Sequence, residues 1–393
     1  MNRRAFLAVG AAAVSGSVFS SAEKPKLRVA VLGHTGRGDY GHGLDTVWHL
    51  LPETELVAVA DADAKGLEAA RARLKVPRGF ADYRQMLDQV RPDLAAICPR
   101  HADQHRDMAL ACAEAGVRGV YMEKPFCRTP AEADDIVAAA ARKGMKLAVA
   151  HRNRYHPVLK AVDKLLAEGA IGALLEIRGR GKEDARGGGE DLWVLGSHVL
   201  NLMTYFGGRP LACSAVLEQD GHRVTKADVR EGREGLGPLA GNKLHARFEM
   251  ERGAPCHFDS IQNAGKGAAG FGLQLIGNAG LIDFRCDRQP LAHLVPGNPF
   301  APSREPRPWT PISTAGAGQP EPLERVEQEV SRHVLPVRDL IAAVLENRQP
   351  LCGAQDAATI IEMIAAVFES HRQDGARVAL PLKGRGNALA QLR

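Results

Sequence analysis

A chain of 393 residues, 45% hydrophobic and 25% charged, is long enough for two or three domains with proper cores and is neither disordered nor fibrous. Its 51 Lys and Arg against 46 Asp and Glu leave a net charge of +5, too small over this length for a phosphate-tracking surface, so no nucleic acid partner is expected. With aromatic residues at 5%, a cleft paved for long polysaccharides is excluded as well, and recognition must rest on polar groups.

The first 22 residues form a class of their own. Arg3-Arg4 precede the apolar stretch Ala5–Phe19, which is too short for a bilayer span of about 20 residues but suits the apolar core of a signal. Ser20-Ser21-Ala22 supply the small residues of a cleavage site, so residues 1–22 are expected to be an export signal and the mature chain to begin near Glu23. The paired arginines before Phe6-Leu7 favour a twin-arginine signal over an ordinary secretory one or an uncleaved membrane anchor. A periplasmic protein is the expectation, exported already folded and with no membrane contact beyond export.

From Leu27 to His151, short apolar runs alternate with amphipathic helical patterns. Runs at 28–32, 56–60, 94–98, 119–122 and 146–150 read as buried strands, and 64–74, 104–115 and 130–143 as helices. This is the pattern of a doubly wound parallel sheet, assigned to residues 23–151. After a helix near 157–168 the texture changes to strands at 174–180, 211–217, 243–250, 255–262, 273–276 and 281–285, interrupted by one helix around 191–206. A second domain, 152–393, is expected to be α+β with a large open antiparallel sheet. Residues 289–322 hold nine of the 23 prolines and read as an irregular surface arm. Helices at 323–347 and 354–374 and a short strand at 377–382 follow.

The first strand runs into Gly33-His34-Thr35-Gly36-Arg37-Gly38. A glycine-rich turn between a first strand and a first helix lets backbone N–H groups approach a pyrophosphate at the helix N-terminus. The spacing departs from GxGxxG, because Thr35 holds the second glycine position. Asp61 ends the second strand 23 residues after Gly38, where a carboxylate accepts from ribose hydroxyls and repels a 2′-phosphate. NAD is therefore favoured over NADP. The seven cysteines show no CxxC and no metal spacing, and His101 and His105, four apart, lack the third ligand of a metal site. No metal is expected.

At the fourth apolar run the sequence reads Met122-Glu123-Lys124-Pro125, and here it resembles the Gfo/Idh/MocA oxidoreductase family. The likeness extends over nearly all of the mature chain. It includes the glycine turn, Pro99-Arg100-His101 with His105, the Glu-Lys-Pro tripeptide, His151-Arg152-Asn153-Arg154, Gly196-Ser197-His198 and Arg377–Pro381. The resemblance implies that Lys124 stands beside a nicotinamide, contacting substrate and cofactor, and that Glu123 holds the ribose. It also implies an acid–base role for His198 and an antiparallel sheet whose open face packs in a homodimer or homotetramer. By the same resemblance Pro99 falls beside the cofactor, His101 and His105 line the nicotinamide end or cap the helix that follows, and Arg154 and Asn201 join Lys124 and His198 as substrate contacts. Many relatives carry Asp four residues before this histidine, whereas this chain has Val194, with Glu190 and Asp191 as its nearest upstream carboxylates. Arg180, Lys182 and Arg186 lie in a glycine- and arginine-rich loop, where solvated charges and substrate contacts are both open readings.

Removing hydride from a secondary alcohol requires a base for the hydroxyl proton, which a lysine or histidine of depressed pKa supplies. The expected function is an NAD-dependent oxidoreductase acting on a small sugar, polyol or sugar derivative. Because a periplasm holds no nicotinamide pool, an exported enzyme would carry its cofactor tightly bound. The alternatives are a redox-neutral NAD-using glycosidase or lyase of the same fold, and a sugar- or nucleotide-binding protein whose chemistry has decayed.

Overall fold

The computed structural model describes residues 25–267 and 270–392; the expected signal at 1–22 lies outside the described residues. Six parallel strands form the first sheet: β1 (Leu27–Leu32), β2 (Thr54–Ala60), β3 (Arg78–Phe80), β4 (Leu94–Ile97), β5 (Gly119–Met122) and β6 (Lys146–Val149), in the order β3-β2-β1-β4-β5-β6. Every residue of β4, β5 and β6 is buried, which is why these strands read as unbroken runs rather than alternating ones.

Four helices flank it: α1 (Ala64–Leu74), α2 (Tyr83–Val90), α3 (His105–Glu114) and α4 (Pro130–Lys143). Their ends are set by local chemistry. Asp63 and Asp82 accept from backbone N–H groups at the starts of α1 and α2, and Thr129 caps α4, which opens on Pro130 and stops at left-handed Gly144. Ala30, Leu32, Ala95 and Ile97 face α2, α3 and α4. Val29, Val31, Ala96 and Tyr121 face α1 and, from the far end of the chain, helix Val334–Glu346 through Val337, Leu340 and Val344. The C-terminal region thus returns to complete the first domain's core.

No α-helix follows β1. Residues 33–46 wind through turns into the 3-10 turn Val47–Leu50, so the expected helix N-terminus for a pyrophosphate is absent there. The cause is composition: Gly36, Gly38, Gly41 and Gly43 all have positive φ, and closely spaced glycines are poor helix formers.

The second sheet has eleven strands, running from Gly316–Ala317 through Thr310–Ser313, Ala292–Pro296, Gly280–Arg285, Gly272–Gly277, Leu174–Arg180, Cys256–Ile261, Lys243–Met250 and Pro210–Gln219 to Val378–Ala379, with His222–Arg223 beside Pro210–Gln219. All neighbours pair antiparallel except Leu174–Arg180 with Cys256–Ile261, so the sheet is mixed. Three segments differ from expectation. The proline-rich arm contributes three of these strands, because prolines are tolerated where a strand end or edge has no N–H to donate. The expected helix at 323–347 is broken into Val326–Ser331 and Val334–Glu346 by His333, whose φ is +62°. The helix around 191–206 begins as a turn at Gly189–Asp191, widens to π-helix over Leu192–Gly196 and becomes regular only at Ser197–Gly207.

Candidate active site and nucleotide cleft

Two cavities open near the carboxyl edge of the parallel sheet. The first, about 400 Å³, is lined by Gly33, His34, Arg37, Asp61, Asp82, Tyr83, Arg84, Asp103 and Asp107 among others, at the ends of β1 and β2. Gly36 has φ +78° and no atom near a would-be Cβ, so the turn is open on that side. Gly38 is the opposite case: a Cβ there would collide with the backbone nitrogens of Arg100 and His101. This close approach joins the turn to the loop after β4, where Arg100 N donates to Gly38 O at 3.1 Å.

Asp61 stands at the expected strand end, but its carboxylate is turned inward. It accepts from Thr35 N (3.0 and 3.1 Å), Thr35 Oγ1 (2.6 Å), Tyr40 Oη (2.8 Å) and Asp63 N (3.0 Å), and is 1% exposed. In this arrangement it pins the glycine turn and has no oxygen free for a ribose. Burial raises its pKa, and the bonds from Thr35, Tyr40 and Asp63 outweigh that and lower it overall. Arg37 is paired with Asp103. His105 likewise faces inward: Nδ1 lies 2.7 Å from Pro125 O and Nε2 2.7 Å from Pro99 O. Fully buried, it staples the loop after β4 to the loop after β5 and does not line the cofactor cleft; Pro99 contributes to that staple through its carbonyl. His101 is half-buried, its pKa lowered by burial, and is not among the residues lining either cavity.

The second cavity, about 240 Å³, lies between the domains and is lined by His42, Glu123, Lys124, Ala150, Arg152, Lys182, Arg186, Leu195, His198, Asp287 and His333. Lys124 leaves the end of β5 through a cis bond to Pro125 and is 7% exposed. Its Nζ donates to Val194 O at 2.9 Å. Val194 lies in the π-helical segment, where the register of backbone hydrogen bonds is shifted, and π-bulges frequently occur at functional sites. The position that lacks a carboxylate side chain therefore meets the lysine with a backbone carbonyl. Burial pushes the Lys124 ammonium below the ordinary lysine value, against the opposing pull of Glu123.

Glu123, 1% exposed, bonds His42 Nδ1 with one oxygen and accepts from Lys124 N at 2.6 Å with the other. Burial would raise its pKa, but His42 and the Lys124 charge hold it at about 2. His198 packs edge-on to His151, ring centroids 5.3 Å apart, and the Nδ1 atoms of both are buried without a partner. Burial and then Lys124 drive both imidazoles down, His151 to about 3 and His198 well below its ordinary value, so both are neutral near pH 7. His333 turns its Nδ1 to Tyr121 Oη at 2.6 Å and lies against the backbone of His42.

Other expected residues lie elsewhere. Arg154 stacks over Tyr205 and donates to Asn201 O at 3.0 Å, lining a larger, mainly apolar cavity of about 680 Å³ that shares no residue with the Lys124 cavity. Asn201, 1% exposed, donates to Cys352 Sγ at 3.4 Å beneath the helix. Both are thus corrected from substrate contacts to packing between helix Ser197–Gly207 and its neighbours. Asp191 does not reach His198 as a substitute carboxylate. It accepts from Ser260 Oγ (2.6 Å) and from the N–H groups of Lys182 (3.3 Å) and Glu183 (3.1 Å). His42 and His333 were not found by sequence reasoning: the first sits between two glycines, and the second lies inside an expected helix.

Two cavities at the strand ends, the second holding a buried lysine beside neutral histidines, fit a protein of the NAD-binding oxidoreductase class. Residues 27–151 match the family description "Oxidoreductase family, NAD-binding Rossmann fold", and residues 164–380 match "Oxidoreductase family, C-terminal alpha/beta domain". The chain belongs to the Gfo/Idh/MocA oxidoreductase family. It is 36% identical over 125 residues to D-apiose dehydrogenase of Paraburkholderia graminis, covering 32% of this chain and 33% of that protein. Thus the match spans only a third of that relative. It is 28% identical to a putative UDP-kanosamine synthase oxidoreductase subunit of Amycolatopsis mediterranei, over 83% of this chain and 91% of that one. Levoglucosan dehydrogenase of Pseudarthrobacter phenanthrenivorans is 27% identical over 61% of this chain and 66% of its own length. Among solved structures, levoglucosan dehydrogenase in complex with NADH and L-sorbose superposes with a TM-score of 0.71 at 20% identity, over 91% of this chain and all of that one. The WlbA dehydrogenase of Bordetella pertussis gives 0.64 at 20% identity, over 91% of this chain and all of that chain.

Proposed function

We propose that this chain is an NAD-dependent oxidoreductase that takes hydride from a secondary alcohol of a small sugar, polyol or sugar derivative and holds its cofactor tightly. The observation that carries this reading is Lys124: a buried amine of depressed pKa at the carboxyl edge of β5, facing a cavity shared with His198 of the second domain.

The residues present fit the nucleotide. The open side of the turn at Gly36 and the cavity beyond it suit the adenosine half, and the cavity at Glu123, Lys124 and Ala150 suits the nicotinamide half. When bound, NAD supplies the hydride acceptor. The chain's own residues handle the proton. Once deprotonated, Lys124 can keep an N–H on Val194 O and present its lone pair to the alcohol, while neutral His198 offers a second acceptor in the same cavity. Glu123, kept ionised, orients the lysine backbone and His42. The preference for NAD over NADP is supported by the adenosine cavity as a whole, where Asp61, Asp82, Asp103 and Asp107 outnumber Arg37 and Arg84 and disfavour a 2′-phosphate.

Nucleotide analysis of the purified, undialysed protein tests the captive cofactor: about one NAD per chain is expected, and protein that is empty and needs added NAD for any turnover would refute it. The Arg3-Arg4 opening, which supports export to the periplasm, also supports a redox-neutral glycosidase or lyase cycle, in which the hydride is returned to the same substrate. Release of a free leaving group from a glycoside without net nicotinamide reduction distinguishes that chemistry. The alternation of buried and exposed positions along strands such as Lys243–Met250 supports a sheet face that packs in a homodimer or homotetramer, which light scattering at low and high salt tests.

A further inference from the structure

The charge around the Lys124 cavity is lopsided. Besides Lys124, which the reaction needs uncharged, Arg152, Lys182 and Arg186 line it with the carboxylates of Glu123 and Asp287. Glu123 is committed to His42 and to the backbone of Lys124. Asp287 lies between two cations, 2.9 Å from Arg152 Nη2 and 3.5 Å from Lys182 Nζ, so one carboxylate offsets two positive charges. Arg186 is paired with Asp184, which does not line the cavity. At Arg152 and Lys182 one positive charge is therefore left without a carboxylate, beside a cavity that His198 and His333 also line. Such a space, half-screened from water, favours an anion more than a surface patch would.

The loop that carries two of these cations is fixed to the sheet. Asp191 holds the N–H groups of Lys182 and Glu183. Buried Glu183 accepts from Ile261 N at 3.0 Å, Gln262 Nε2 donates to Ala185 O at 2.7 Å, and Gly188 N donates to Ser260 Oγ at 2.9 Å. The backbone under Lys182 and Arg186 is thus tied at several points to strand Cys256–Ile261 and the residue after it. Charged groups on a preordered loop lose less freedom on binding an anion. At about 240 Å³ the cavity lies below the roughly 300–1,000 Å³ of drug-sized ligand sites, and because the nicotinamide ring would share it, the space left suits at most one sugar ring rather than a sugar nucleotide.

We propose that the substrate is a monosaccharide acid, whose carboxylate is received by Lys182, Arg152 and Arg186 while the hydroxyl to be oxidised lies against Lys124 and His198. This rests on the oxidoreductase reading for the second half of the statement and on the cavity's charge for the first. It also gives the glycine- and arginine-rich loop a role as the specificity element.

The test is calorimetric titration of the NAD-loaded protein with D-glucuronate and D-galacturonate, each beside its neutral parent sugar, with glucose 6-phosphate as the phosphate arm. At least one acid should bind about ten-fold more tightly than its neutral counterpart at low salt, with the gap closing as salt rises. K182Q/R186Q should abolish the gap, and K182R should retain it, which controls for a folding defect. Acids that bind no better than neutral sugars, including failure of every acid to bind, overturn the proposal, as does a preference for the phosphorylated sugar over both acids. Nicotinamide reduction by neutral sugars with no acid preference removes this inference and leaves the oxidoreductase reading intact. Acid preference without reduction of the nucleotide supports the anion site and removes the oxidoreductase reading.

Discussion

Replacing Asp61 with alanine should destabilise the glycine turn of the protein without nucleotide. The carboxylate accepts from two backbone amides, Thr35 N and Asp63 N, and from the Thr35 and Tyr40 hydroxyls, all within 3.1 Å. The hydroxyls can rotate towards other acceptors, but the amides cannot. At about 1–3 kcal/mol for each buried donor left unsatisfied, Asp61→Ala should cost about 2–6 kcal/mol. Asp61→Asn keeps an oxygen for the amides and turns an NH2 towards the two hydroxyl oxygens, so its cost should be smaller, about 1–2 kcal/mol. Urea unfolding of nucleotide-free protein measures both. The pH dependence has a defined sign. The folded pKa of Asp61 is depressed, so its contribution is complete above the unfolded value of roughly 3.9 and is lost as the pH falls through the lower folded value. An alanine variant within about 0.5 kcal/mol of the parent, yet binding NAD far more weakly, would refute this reasoning. It would show that the carboxylate's energy is spent on ribose, as its place at the end of β2 implied.

Gly38→Ala should be far more damaging than Gly36→Ala: both have positive φ, but only at Gly38 would the new Cβ strike backbone, that of Arg100 and His101, so thermal melting should fall by several degrees more. Lys124→Met should lower the rate of nicotinamide reduction by about 10²–10⁴-fold, with stability changed little because a buried ammonium is exchanged for an apolar side chain of similar length; steady-state rates and melting measured together check this. Because burial depresses the Lys124 pKa, kcat/KM should rise with pH through an apparent pKa below the ordinary lysine value of roughly 10.4, and Lys124→Met should remove that limb. His105→Ala should unfold the protein more readily, by about 2–4 kcal/mol, and a variant of normal stability with weakened NAD binding would return His105 to the cofactor cleft.

The parallel sheet was legible because β4, β5 and β6 are buried on both faces and leave uninterrupted apolar runs. The strand Arg78–Phe80 and the helix Tyr83–Val90 were missed for the opposite reason. A three-residue strand with glycine at its centre carries almost no pattern, and the polar surface of the helix hides Met86, Leu87 and Val90. The edge strands at 292–317 were obscured by their prolines. At the site, Glu123, Lys124 and His198 were legible from motif and spacing, and the structure brings them to one cavity. The inward turn of Asp61 and His105 was not, because a strand end and a helix start do not reveal which way a short polar side chain faces. Nor could side-chain identities reveal that Val194 would act through its carbonyl. That depends on the π-helical register of residues 192–196, a property of the backbone.

The central claim is that this cavity oxidises a sugar-like alcohol at Lys124. It is tested most directly by following the near-ultraviolet absorbance of reduced nicotinamide as sugars, polyols and sugar acids are added to the NAD-loaded protein and to its Lys124→Met variant. The absorbance should rise with at least one alcohol in the parent and stay flat in the variant. A parent protein that leaves the nicotinamide oxidised and every alcohol and glycoside unchanged, or a variant that reduces it equally fast, would contradict the account.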